Sequence, residues 1–141
     1  MNATEATPCL CNALRKATRA VTRVYDDALR PAGLRVTQFS VLRNLVRRGP
    51  LRMRDLSAAL VVEETTVVRS VRLLHERGWI AIRTGADRRE RMLSITAAGR
   101  AVLAKAEPLW VDAQQRMSDE LGDEWSVLLR SLRKATESAA P

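Results

Sequence analysis

Aromatic side chains are scarce in this sequence: one Phe, one Tyr and three Trp, 4% of 141 residues. So few rings offer no obvious stacking pocket from which a ligand could be named. Cysteine is scarcer still. Two thiols do not make the framework of a small secreted domain, and Cys9 and Cys11 with the lone His75 are too few for a metal site. Neither a metal nor a cofactor is expected. No apolar run approaches the ~18 residues of a membrane span, and no secretory signal opens the chain. The expected compartment is the cytoplasm, with no membrane partner. Missing too are a glycine-rich phosphate loop, paired carboxylates in a plausible cleft and a nucleophile beside a base. The chain is not expected to be an enzyme.

What remains is ordinary for a globular protein: 46% hydrophobic and 28% charged residues, enough for one core and a single domain over residues 1–141. The balance of charge is less ordinary. A net +8 at pH 7 points to a polyanionic partner. It is spread unevenly, with +6 in residues 1–50, +3 in residues 51–96 and −1 in residues 97–141. Of the 24 basic residues 21 are arginine, which fits either phosphate contacts or merely a GC-rich genome.

The most informative stretch runs from Arg54 to Thr96. Leu56, Ala59 and Leu60 stand at i, i+3, i+4, the spacing of a buried helical stripe, and Val61-Val62 interrupts it. A second helix is predicted from Glu64 to Arg77, with Val67, Val71 and Leu74 inward and Thr65, Thr66, Val68, Arg69 and Arg72 outward. Gly78 ends it as a C′ glycine. Beyond Gly78 the apolar period becomes two, so Ile80 and Ile82, then Leu93 and Ile95, predict paired strands. The segment Thr84–Arg91 between them is too charged to be buried and too long for a two-residue turn.

Helix, turn, helix and a basic-tipped hairpin, in that order, make a winged helix-turn-helix. Its second helix suits the DNA major groove, and its wing the adjacent minor groove. Arg69 and Arg72 match guanine O6/N7; Thr65 and Thr66 match a phosphate, a base edge or a thymine methyl, although both also suit a helix start. Arg88, Arg89 and Arg91 are candidates for the minor groove or its phosphates, with Asp87 holding Arg89 in place. Arg54, at the start of the motif, is a further DNA candidate. Glu63 and Glu64 favour the helix dipole yet repel DNA.

The flanks read as long helices. Thr7-Pro8 is a helix-start signal. From there Leu10, Leu14, Ala17, Val21, Val24 and Ala28 form a narrow seam of coiled-coil type, closed by Pro31 and Gly33, with Arg15, Arg19 and Arg23 opposite. Thr37 is expected to cap a helix over Gln38–Arg48, with Phe39, Leu42, Leu45 and Val46 inward. Thr96 is expected to cap another reaching Leu121, with Val102, Ala106, Leu109, Ala113 and Met117 as its seam and a kink at Pro108. After Gly122-Asp123 a last helix presents Trp125, Leu128, Leu132, Ala135 and Ala139. Such seams cannot be buried alone. The economical solution is a homodimer in which segments 7–30 and 97–139 of two subunits interleave about a twofold axis. Segment 37–96 is then the DNA-binding lobe, and two lobes sit about one DNA turn apart, ~34–36 Å, on an inverted repeat. The fold class is mainly α with a small β-wing.

Leu74-His75-Glu76-Arg77-Gly78-Trp79-Ile80, then Asp87-Arg88-Arg89, then Leu93-Ser94-Ile95-Thr96-Ala97-Ala98-Gly99 resemble the signature of the MarR family of bacterial transcriptional regulators. The resemblance covers nearly the whole chain and is most specific at the wing. It implies a dimeric, sequence-specific regulator of double-stranded DNA, most often a repressor. It also implies that the helix opening at Thr37 supports the reading head and approaches the DNA backbone, which makes Thr37 and Gln38 candidate phosphate contacts.

Leu10-Cys11-Asn12-Ala13-Leu14 with Tyr25 resembles the peroxide-sensing branch of that family, where tyrosines from nearby helices activate a reactive cysteine. Cys11, Cys9 and Tyr25 are then candidate redox-sensing residues, the thiols lying in a first helical turn that favours a thiolate. Arg15 departs from the pattern, standing where another tyrosine is expected. On a helix the two cysteines point about 200° apart, so a disulfide between them needs the first turn to fray. The plainer alternative is that both pack at a dimer seam, with a small molecule as effector. A different class of function stays open as well: a helical module that holds another protein, or binds nucleic acid without operator specificity.

Overall fold

In the computed structural model, which describes residues 8–140, the chain runs through α1 (Leu10–Leu29), a 3-10 turn (Arg30–Ala32), α2 (Val36–Arg48), β1 (Leu51–Arg52), α3 (Met53–Leu60), α4 (Glu64–Glu76), β2 (Ile80–Thr84), β3 (Arg91–Ile95), α5 (Ala97–Leu121) and α6 (Glu124–Ala139). It is mainly helical with one antiparallel sheet of order β1-β3-β2, the expected class. The hairpin register sets Ile80 opposite Ile95 and Ile82 opposite Leu93, which turns Ile80 and Leu93 into the core. The sequence pattern does not announce β1. Two residues are too few for a period, yet Leu51 pairs with Leu93 and Arg52 with Met92.

Leu29, Phe39, Leu42, Leu45, Leu56, Leu74 and Leu93 are at most 1% exposed and share one apolar cluster with Leu103 and Ala106 of α5. The helix-turn-helix is thus packed against α2, the hairpin and the long helix at once.

Several starts and faces differ from expectation. The cap expected of Thr7 lies outside the described residues. Cys9 is the extended N-cap of α1 rather than part of its first turn, while Cys11 is the second helical residue. The buried face of α1 is Tyr25 and Leu29, one turn apart; Tyr25 donates its hydroxyl proton to Gln114 of α5, and burial pushes the phenol above its usual pKa. Thr37 does not cap α2. The N-cap is Arg35, whose N–H donates to Gln38 Oε1 (3.0 Å), while Val36 N–H donates to Asp26 Oδ1 of α1 (2.8 Å). A cap supplied from another helix satisfies the orphan donors as well as a local one. Within α2, Val41 is buried and Val46 is 38% exposed.

The end of the wing is fixed by Thr96. Its Oγ1 accepts from Gly99 N–H (3.0 Å) and donates to the Gly78 carbonyl (2.6 Å), tying the start of α5 to the exit of α4. Gly99 is required there: a Cβ would lie 2.1 Å from the Trp79 carbonyl oxygen and 2.7 Å from Ile95 Cγ1. Helix α5 continues through Pro108. Helix α6 buries no residue.

Candidate nucleic-acid interface

The turn between α3 and α4 is closed by Val61 in the left-handed region (φ 54°), where its N–H and that of Val62 bond to Ala58 and Ser57 carbonyls (3.2 and 3.1 Å). β-branched residues rarely adopt this conformation, so the turn stores strain. It sets the angle at which α4 leaves α3. Val67, Val71 and Leu74 anchor α4 to the core, and the opposite face is left to solvent. Thr65, Thr66, Arg69 and Arg72 are all exposed on it, with Glu63 as N-cap and neither threonine capping. Gly78 (φ 75°) then turns the chain into β2. Arg77, next to it, donates to the Gly33 carbonyl (2.8 Å) and lies over the Trp79 ring (5.1 Å). It is a strut for α4.

The wing adjoins α4, Arg88 and Arg91 lining one cleft with Arg72. Arg88, Arg89 and Arg91 are exposed. Asp87 holds Arg89 through the backbone, its Oδ1 accepting from Arg89 N–H (3.1 Å), rather than through the guanidinium. That leaves the Arg89 charge free while the tip is shaped. Glu90 pairs with Arg52 beside it (3.0 Å) and is withdrawn from the tip arginines. Among the described residues, none of Arg54, Arg69, Arg72, Arg88, Arg89 and Arg91 forms an ion pair. These arginines are unpaired among the described residues, while Glu63 and Glu64 are exposed at the start of α4.

Five of the sequence candidates fall into two groups, and Gln38 joins neither. Arg72 lines a cleft of ≈ 500 Å³ between α4 and the wing with Arg88 and Arg91, and His75 lines it with them. Thr37, exposed at the second position of α2, lines a pocket with Thr66 and Ser70 of α4, so the start of α2 does adjoin the reading helix. Gln38 turns inward, 8% exposed, with its oxygen accepting in the α2 cap. His75, read from the sequence as a surface residue, sits one helical turn after Arg72, a spacing that could have placed it in the cleft.

Cys9 and Cys11 are exposed and free of any disulfide. Cys11, Leu14 and Arg15 of α1 face Leu132, Ala135 and Thr136 of α6 across an apolar groove of ≈ 830 Å³, which Val61 also borders. Tyr25 lies about 21 Å along α1 from Cys11, at 1.5 Å per residue, so the two do not meet within one chain. Among the described residues no three His, Cys, Asp or Glu side chains gather as a metal site, and no helix is long and apolar enough to cross a membrane.

Comparison with known proteins agrees with this geometry. Residues 32–90 match the model of the MarR family. A curated relative, the uncharacterized HTH-type transcriptional regulator YwoH of Bacillus subtilis, is 33% identical over 87 residues, 62% of this chain and 64% of that protein. The M. tuberculosis transcriptional regulator MosR in complex with DNA superposes with TM-score 0.87 at 36% identity, covering 94% of this chain and 96% of its own. The transcriptional repressor CouR bound to a 23-mer DNA duplex superposes with TM-score 0.83 at 28% identity, over 91% and 92%. These relatives are regulators rather than enzymes. With its reading lobe matched by the family model and a relative aligned almost end to end, the chain belongs to the MarR family.

Proposed function

We propose that this protein is a dimeric, sequence-specific DNA-binding regulator of the cytoplasm that acts as a repressor on an inverted-repeat operator. The observation that carries the reading is the set of exposed arginines on α4 and the wing that form no ion pair among the described residues, with Arg72, Arg88 and Arg91 lining one cleft. Arg69 and Arg72, with Thr65 and Thr66, read bases from the major groove; Arg88, Arg89 and Arg91 hold the minor groove or its phosphates, and Arg54 and Thr37 the flanking backbone. The exposed apolar side chains of α1 and α6 support assembly through those helices. A signal received in the groove between α1 and α6 releases the DNA, either a small molecule or oxidation of Cys11, with Cys9 nearby. Two heads held one DNA turn apart tolerate little rotation, so new bulk at that groove is enough to break the match.

The test is a gel shift with the DNA upstream of the protein's own gene. Wild type should give a retarded species that survives non-specific competitor, and Arg69→Ala and Arg72→Ala should each weaken it. A shift erased by competitor would instead support a non-specific nucleic-acid module. Peroxide titrated into the complexes of wild type, Cys9→Ser and Cys11→Ser separates the two signals. Release lost only in Cys11→Ser supports thiol sensing; three complexes that stay intact leave a small-molecule effector.

A further inference from the structure

His75 follows Arg72 by one turn of α4, and its ring is oriented by a single hydrogen bond. Nδ1 lies 3.0 Å from the Ile80 carbonyl oxygen. A carbonyl oxygen only accepts, so Nδ1 carries the proton. Nε2, on the far side of the ring, is engaged by no hydrogen bond among the described residues. With Nδ1 protonated, a neutral imidazole offers only a lone pair at Nε2; it donates there only as the imidazolium.

The ring borders the cleft between α4 and the wing, and the charges around it are of one sign. Helix α4 contributes Arg72 and the wing Arg88 and Arg91, while the sides of α3 and β2 that line the cleft are uncharged. Glu76 adjoins His75 along α4 without lining the cleft. Glu90 is paired with Arg52, and Asp87 accepts from the Arg89 backbone. Three cations, an unengaged ring nitrogen and no carboxylate make a receptor for an anion. The source of that anion follows from position. A helix in the major groove and a wing in the adjacent minor groove straddle the sugar-phosphate strand that separates them.

We propose that His75 is a DNA-contacting residue whose Nε2 takes up a proton on binding and donates it to a backbone phosphodiester held beside Arg72, Arg88 and Arg91. The proton comes from the buffer and returns to it on dissociation, so operator affinity rises as pH falls. This inference rests on the DNA-binding reading above.

The experiment is calorimetric titration of the duplex from upstream of the protein's own gene into the intact protein, in buffers of different ionisation enthalpy. Wild type should take up protons on binding, and the slope of log K against pH should equal minus the number taken up per complex. His75→Leu should take up none and bind roughly tenfold more weakly. His75→Gln carries an amide that donates without titrating; it should recover most of the lost affinity and still take up no proton. Should His75→Leu fail to fold, because the ring also holds the start of β2, the glutamine variant alone decides. Wild type that binds without proton uptake, or His75→Gln that takes up as many protons as wild type, overturns the proposal and leaves the DNA-binding reading standing. Wild type that binds no duplex overturns both.

Discussion

Between Val36 and Ile95, Phe39, Val41, Leu42, Leu45, Leu56, Val67, Val71, Leu74, Ile80 and Leu93 are all sealed to 2% exposure or less, and the starts of α2 and α5 are capped by side chains. At the chain ends the reverse holds: α6 buries nothing, Val127, Leu128 and Leu129 are 41–47% exposed, and Leu10 is 65% exposed. The lobe is finished by its own residues, with help from α5 and the end of α1. The terminal helices are not. In the proposed function the exposed apolar side chains of α6 are the surface a second subunit covers, and the lobe arginines that form no ion pair among the described residues are the surface kept free for a polyanion.

The largest expected effect breaks this contrast at the terminal helices. Leu128→Asp or Leu132→Asp places a carboxylate where a partner's helices should cover it, at a cost of several kcal/mol. Sedimentation should then find monomer or precipitate; a variant that sediments as wild type would mean α6 faces water. Next comes Gly99→Ala, in the lobe. The added methyl meets the Trp79 carbonyl at 2.1 Å, and overpacking of this kind costs about 3 kcal/mol. The melting temperature should fall steeply with the exit of α4 displaced, and an unchanged melt would show that the α5 start can yield.

Much of this was legible in the sequence, and the misses share a cause. The inward faces of α3 and α4, the hairpin strands and the Thr96 cap follow from period and cap chemistry within a few residues of each other. The start of α2 does not, because Asp26 reaches it from α1, and Thr37 looks the better local cap. Gln38 reads as polar and therefore outward, yet it is buried to complete that cap. The α1 seam from Leu10 to Ala28 is visible as a pattern, but nothing local says that Tyr25 and Leu29 form the face that packs within the chain. Strand β1 exists only because β3 offers it an edge. Contacts made at long range leave no period to read.

Smaller effects sharpen the picture of the lobe. Arg89→Ala should leave the protein folded, since the side chain forms no ion pair among the described residues. It should weaken operator binding several-fold and flatten the salt dependence of log K by about one unit per subunit. An unchanged slope would mean that the arginine meets only water. Smallest is Val61→Gly, which relieves a positive φ at a residue 72% exposed. A gain of about 1 kcal/mol in stability is expected, with little packing lost; a loss would show that the valine is held in place by the groove it borders.

The most direct measurement is hydroxyl-radical footprinting, on the DNA upstream of the protein's own gene, with the stoichiometry of the same complex read by sedimentation. A sealed lobe carried by unfinished helices should appear as two chains per duplex and two protected half-sites about one helical turn apart, ~34–36 Å, on one face of the DNA. One chain per duplex, or protection with no twofold spacing, would contradict it.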